Sequence, residues 1–315
     1  MLIRRWLLSA VPVSLFLVMQ LPAAEVSTPR HKVVAADKQH LVGFDEQGKV
    51  LWSLPDFGPV HRIQVLAQGH LLTQTNWTHL VELDANRKVV WEYDAQHTNG
   101  NAGKKLEVHA FQRLNNGNTM VVENGVGRII EVDPAGKIVH EVKYQVSVPN
   151  AHRDVRQAYK LDSGNYLVCH EGDGRVVEYA PDGEIVWAYG VPLFDKPPVN
   201  GHGPEAWGNQ AFNARRMPNG NTLIATGNGH SVIEVTPAKQ VVWQVQQQDL
   251  SGITLAWTTT LEVLPNGNIL LGNCHAGPDN PQLIELTRDK QVVWTFHDWD
   301  ALGDSTAAST VLPQE

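Results

Sequence analysis

"LPNGNILLG" at residues 264–272 and "IELTRDKQVVW" at residues 284–294 are two halves of one unit, and that unit recurs along the chain. In the first half two apolar runs are broken by Asn266-Gly267, which supplies the positive φ of a tight reversal. In the second, an apolar run stops at a polar turn and resumes as Val292-Val293-Trp294. The first half returns as "LAQGHLLTQ" (66–74), "LNNGNTMVV" (114–122), "LDSGNYLVC" (161–169) and "MPNGNTLIA" (217–225). The second returns as "GFDEQGKVLW" (43–52), "VELDANRKVVW" (81–91), "IEVDPAGKIVH" (130–140), "VEYAPDGEIVW" (177–187) and "IEVTPAKQVVW" (233–243).

The chain therefore carries five first turns and six second turns. Both ends explain the mismatch. The first unit, "HKVVAADKQHLVGFDEQGKVLW" (31–52), lacks an opening strand, while "STAASTVLP" (305–313) is a strand without a hairpin partner. A ring whose last strand completes the first unit accounts for both. Four strands per unit and no helical periodicity give an all-β fold, a six-bladed β-propeller of four-stranded blades closed by the C-terminal strand joining the first blade. Closure also removes the open edges that would template aggregation. Trp52, Trp91, Trp187, Trp243 and Trp294 recur at one position of the fourth strand, with His140 as the exception, and are expected to pack between blades.

Outside the repeats, "MLIRRWLLSAVPVSLFLVMQLPAAE" sets Arg4 and Arg5 before an apolar run ending in Ala23 and Ala24. That order reads as a signal peptide over residues 1–24, leaving residues 25–315 as one propeller domain. The run is interrupted by Ser9, Pro12 and Ser14, so a permanent span is not expected. The expected location is periplasmic or secreted. Losing Arg4 and Arg5 moves the formal net charge from −8 to about −10, which argues against nucleic acid or an anionic membrane as partner. The expected partner is a small molecule or another exported protein. Cys169 and Cys274 fall in non-adjacent repeats and are expected to be buried thiols.

The run of apolar strand, Asp, short turn, Lys and apolar-apolar-Trp, clearest in "GFDEQGKVLW", resembles the repeat of quinoprotein-type, PQQ-like β-propellers. More distantly, the architecture is similar to the six-bladed bacterial arylsulfotransferases. The first resemblance implies the fold and raises pyrroloquinoline quinone as a cofactor. Pyrroloquinoline-quinone dehydrogenases of that group typically use eight blades, a vicinal cysteine pair and calcium, whereas this chain has six repeats and no adjacent cysteines, so the cofactor is left unknown. The second implies group-transfer chemistry at channel histidines, without a motif that aligns residue by residue.

The short turns share one face of such a ring, leaving blade connections and middle loops on the other. Eleven of the fourteen histidines fall in that second face, with only His31, His70 and His140 elsewhere. Function is expected there. Aligning the connections on the apolar residue before each first turn puts His61, His109, Arg156, Phe212, Thr259 and Ala307 at one equivalent position nearest the axis. His61, His109 and Arg156 are the candidate catalytic or oxyanion group, since a histidine exchanges protons near neutrality and an arginine stays charged. His152, Arg153, His202, Trp207, Asn209 and Trp257 are the candidate ligand contacts around them. Each has a scaffold alternative: blade-to-blade hydrogen bonds for the histidines, pairing with Asp154 or Glu171 for the arginines, loop anchoring for Trp207. His230 is expected at the rim. No His-Glu-x-x-His spacing occurs, so no metal is assigned, and "NWT" (76–78) reads as a glycosylation sequon.

The expected function is ligand binding at a channel mouth lined by His, Arg and Trp, the ligand small, polar or anionic, with a carbohydrate or aromatic ring allowed. Group-transfer or lyase chemistry and a protein-interaction scaffold are the alternatives.

Overall fold

The computed structural model describes residues 30–37 and 39–313. The segment read as a signal peptide lies outside the described residues. Six four-stranded antiparallel sheets form the blades of a propeller. The ring closes as the repeat count requires. Ala308–Val311 pairs antiparallel with Val33–Ala36, in register Val33↔Val311 to Ala36↔Ala308, and becomes the innermost strand of the first blade. The other innermost strands are Gln64–Val65, Phe111–Arg113, Ala158–Lys160, Asn213–Arg216 and Trp257–Val263.

The turns follow their residues. Gly117 takes φ +87°, the left-handed value the Asn-Gly reversal requires. At the second turn Asp133 caps the reversal, its Oδ1 accepting from the backbone N–H of Ala135 and Lys137 at 3.0 Å. Every blade has a bulge where the third strand meets this turn, at Glu82/Leu83, Glu131/Val132, Glu178/Tyr179, Glu234/Val235, Glu285/Leu286 and Gly43/Phe44. That recurrence gives each blade the same twist.

Burial falls from axis to rim. The second strands Thr119–Glu123 and Tyr166–His170 are buried throughout, whereas the outer strand Val50–Pro55 alternates exposed and half-buried. The core lies between blades; Met120 and Val122 of the third pack with Tyr166 and Val168 of the fourth. The fourth-strand tryptophans join blades as expected, but half-buried rather than enclosed. Trp91, Trp187 and Trp243 donate their indole N–H to Pro134, Pro237 and Arg288 carbonyls of the next blade at 3.0, 3.1 and 2.7 Å. Arg113, Arg216 and Arg288 cover the same three rings. At the exception, His140 stacks on Tyr166 at 6.1 Å. Cys169 and Cys274 are separate buried thiols. Among the described residues no helix is long and apolar enough to cross a membrane.

Candidate functional site

The connections that deliver His61, His109, Arg156 and Thr259 to the axis are held by buried polar residues at or beside the end of a second strand. Gln74 accepts from the His61 N–H at 3.1 Å and donates to the Val108 carbonyl at 3.0 Å. Asn124 donates to the Val155 carbonyl at 2.9 Å, and His170 bonds the Asp154 carbonyl at 3.0 Å. Asn273 accepts from the Ala256 N–H at 2.8 Å. Fixed connections give the side chains fixed aims.

The six positions aligned by sequence do meet at the axis. His61, Phe212, Thr259 and Ala307 line both an upper cavity of about 500 Å³ and a lower one of about 360 Å³, and so form a partition across the channel. Arg156 faces the upper cavity, with its guanidinium carbon 5.9 Å from the Phe212 ring centroid. His109 is fully buried behind it.

Arg156 organises the partition. Its Nε donates to Glu171 Oε2, and its Nη1 donates to both His61 Nε2 at 3.1 Å and His109 Nδ1 at 3.0 Å. An arginine only donates, so both histidines accept and are neutral. His61 is the Nδ1–H tautomer and His109 the Nε2–H tautomer, which donates to Glu107 at 2.8 Å. Burial first, then the Arg156 charge, then His152 hold the His61 ring well below the ordinary histidine value. Burial, Arg156, His61 and His152 do the same to His109. Neither ring therefore turns a basic nitrogen toward the cavity. The His61 Nδ1 and the Thr259 hydroxyl are buried in the partition without a hydrogen-bond partner among the described residues. Arg156 Nη2 likewise bonds no described residue.

Around the upper cavity stand Trp77, His152, His202, Trp257 and His275. Trp77 stacks on His61 at 5.1 Å and meets His152 edge-on at 5.1 Å. Across the mouth His202 stacks on Trp257 at 4.9 Å and lies 5.0 Å from His275. His152 is half exposed, with Nδ1 2.7 Å from the same Glu107 oxygen that holds His109. The expected contacts His152, His202 and Trp257 thus converge with Arg156.

Arg153, Trp207 and Asn209 do not line this cavity. Arg153 is half exposed, 3.7 Å from Glu171. Trp207 anchors a loop through its N–H to the Leu193 carbonyl at 2.9 Å and carries Lys196 over its ring, and Asn209 bonds the Val191 carbonyl at 3.3 Å. His230 is fully buried rather than at the rim, its two ring nitrogens 2.6 and 2.5 Å from the Ala256 and Ala206 carbonyls. It ties together the loops that carry Trp207 and Trp257. Two site residues escaped the sequence reading. Trp77 stands outside the fourth-strand register, a signal hidden by the sequon around it; Glu107 lies two residues before a ring position.

Glu107, His109 and His152 bring three ligand atoms within 4.8 Å of one another. The set does not suit a metal. A metal on His109 Nε2 would put a proton on Nδ1, where Arg156 already donates. The quinone cofactor fits no better. Its three carboxylates would meet one guanidinium, already paired with Glu171, and Asp37 is on the wall. No second cysteine joins Cys274 there.

A family profile described as outer membrane protein assembly factor BamB matches residues 37–296. No curated protein matches the sequence. Among solved structures, a Bacteroides caccae protein of unknown function superposes with a TM-score of 0.74 at 20% identity, covering 91% of this chain and 100% of its own. A virginiamycin B lyase from Staphylococcus aureus gives 0.52 at 12% identity, covering 79% and 73%. A putative 6-phosphogluconolactonase from Bacteroides uniformis gives 0.55 at 12%, covering 89% and 84%. At these identities the likeness is one of fold.

Proposed function

The chain belongs to the PQQ-like propeller family described as outer membrane protein assembly factor BamB, and on that scaffold we propose that it binds a small planar organic anion in the upper channel cavity. The observation that carries this reading is Arg156, a buried guanidinium oriented by Glu171, His61 and His109 at the floor of an aromatic-walled space. The negative group of the ligand meets Nη2. Its ring lies among Trp77, Phe212 and Trp257, where flat apolar faces favour aromatic or sugar rings. The volume of about 500 Å³ suits a ligand of that size. Export through residues 1–24 belongs to the same proposal, and fractionation of cells expressing the full chain tests it.

The experiment is a ligand-observed NMR panel of aromatic carboxylates, sugar acids, neutral sugars and neutral aromatics. Anionic members are expected to bind and to lose affinity by at least about tenfold in Trp77→Ala. Binding of neutral members alone, or equal binding by Trp77→Ala, contradicts the reading.

One observation favours a second, enzymatic reading. His152 is oriented by Glu107 while its Nε2 bonds no described residue, the arrangement of a general base beside the Arg156 charge. On this reading the base in a lyase or group-transfer step is His152 rather than His61 or His109. Turnover of any panel member that His152→Gln abolishes without weakening its binding supports it. A protein-interaction role, the remaining alternative, predicts a partner captured equally by the parent and Trp77→Ala.

A further inference from the structure

Below the partition lies the second chamber, of about 360 Å³, with no part in the ligand site proposed above. Its charged lining is Arg62, Arg215 and Glu262. The two guanidinium carbons sit 4.2 and 3.8 Å from the Tyr159 ring centroid, so one aromatic ring carries two cations. Such a pair repels, and a single carboxylate balances only one of them. Burial raises Glu262 against the pull of Arg215 and lowers Arg62.

The uncharged lining is biased in the same sense. Gln112 Oε1 accepts from the Lys160 N–H at 2.9 Å, and Asn213 Oδ1 accepts from the Tyr159 hydroxyl at 3.1 Å. Those contacts use the accepting ends and leave the Gln112 and Asn213 NH₂ groups as unused donors. Gln157 is engaged at both ends, by Arg62 and by the His61 carbonyl. Arg215 gives only Nε to a protein acceptor, the Leu261 carbonyl at 2.8 Å, so both Nη groups bond no described residue. Set against the single Glu262 carboxylate, the two guanidinium groups and the two amide NH₂ groups leave donors and positive charge in excess.

We propose that the lower chamber is a separate site for a small oxyanion, a phosphate or a carboxylate, held by the Arg215 fork with the Gln112 and Asn213 amides. Arg62 adds charge from across Tyr159. The partition keeps this anion apart from the ligand above. The guanidinium's paired donors match two oxygens of either anion.

Calorimetric titration of the purified protein with inorganic phosphate, and separately with acetate, in a buffer free of competing oxyanions, tests this. Saturable binding of at least one anion is expected. Glu262→Gln removes the competing carboxylate without opening a cavity, and should tighten that binding severalfold; Arg215→Gln should weaken it by at least about tenfold. Trp77→Ala, in the upper cavity, should leave it unchanged. No saturable heat with either anion overturns the proposal. So does affinity indifferent to Glu262→Gln, or affinity that falls in Trp77→Ala.

Discussion

Arg156 fixes the protonation of two neighbours with one nitrogen, and that has measurable consequences. Long-range ¹⁵N correlation spectra should show His61 as the Nδ1–H tautomer and His109 as the Nε2–H tautomer, both neutral below the ordinary histidine range. An imidazolium signal from either at pH 6 would contradict the assignment. Stability follows the same sign. Above roughly pH 6.5 these rings are neutral in folded and unfolded chains alike; below it the unfolded chain takes up protons that the folded partition refuses, so this stability is lost as the pH falls. Urea unfolding at descending pH should show a shallower loss in a His61→Gln/His109→Gln variant than in the parent. Equal slopes would show that neither ring is held neutral. The ring position itself was legible in the sequence because the repeat fixes its spacing from each first turn. Trp77 and Glu107 were not, because loops carry no register and only the folded chain brings them to Arg156.

Along the elements, the third-strand glutamates explain how the blades hold together. Glu82 accepts from Arg113, Glu131 from Lys160 and Tyr166, Glu178 from Arg216, Glu234 from Arg288, and Glu285 from His31, each partner belonging to the next blade. These pairs sit beside the half-buried tryptophans. A double-mutant cycle on Glu82 and Arg113, both mostly buried, should give a coupling of about 1–2 kcal/mol. A value near zero would reduce the pair to a surface contact. Trp91→Ala should cost about 1–3 kcal/mol, less than an enclosed tryptophan, because the ring remains partly open to solvent. The tryptophans were visible in the sequence as a period. The glutamates recur just as regularly, yet their purpose emerges only when the donor of the next blade is seen against them.

For the whole molecule, both the number of blades and the closure were legible, because unequal turn counts at the two ends admit one simple arrangement. Removing residues 305–315 should expose the Val33–Ala36 edge and break the ring, where Leu312 also bonds the Lys32 carbonyl at 2.9 Å. Size-exclusion chromatography should then show association, and thermal unfolding a lower, broader transition. A monodisperse truncated protein that melts as the parent does would contradict closure as the source of stability.

The ring supports the upper cavity, and the anion proposed there is held by Arg156. The direct test is the dissociation constant of the tightest aromatic carboxylate from the panel, measured for the parent and for Arg156→Met/Glu171→Gln. The paired substitution avoids leaving a buried carboxylate alone. With circular dichroism unchanged, affinity should fall by at least about tenfold; an unchanged dissociation constant would place the anion elsewhere than on Arg156.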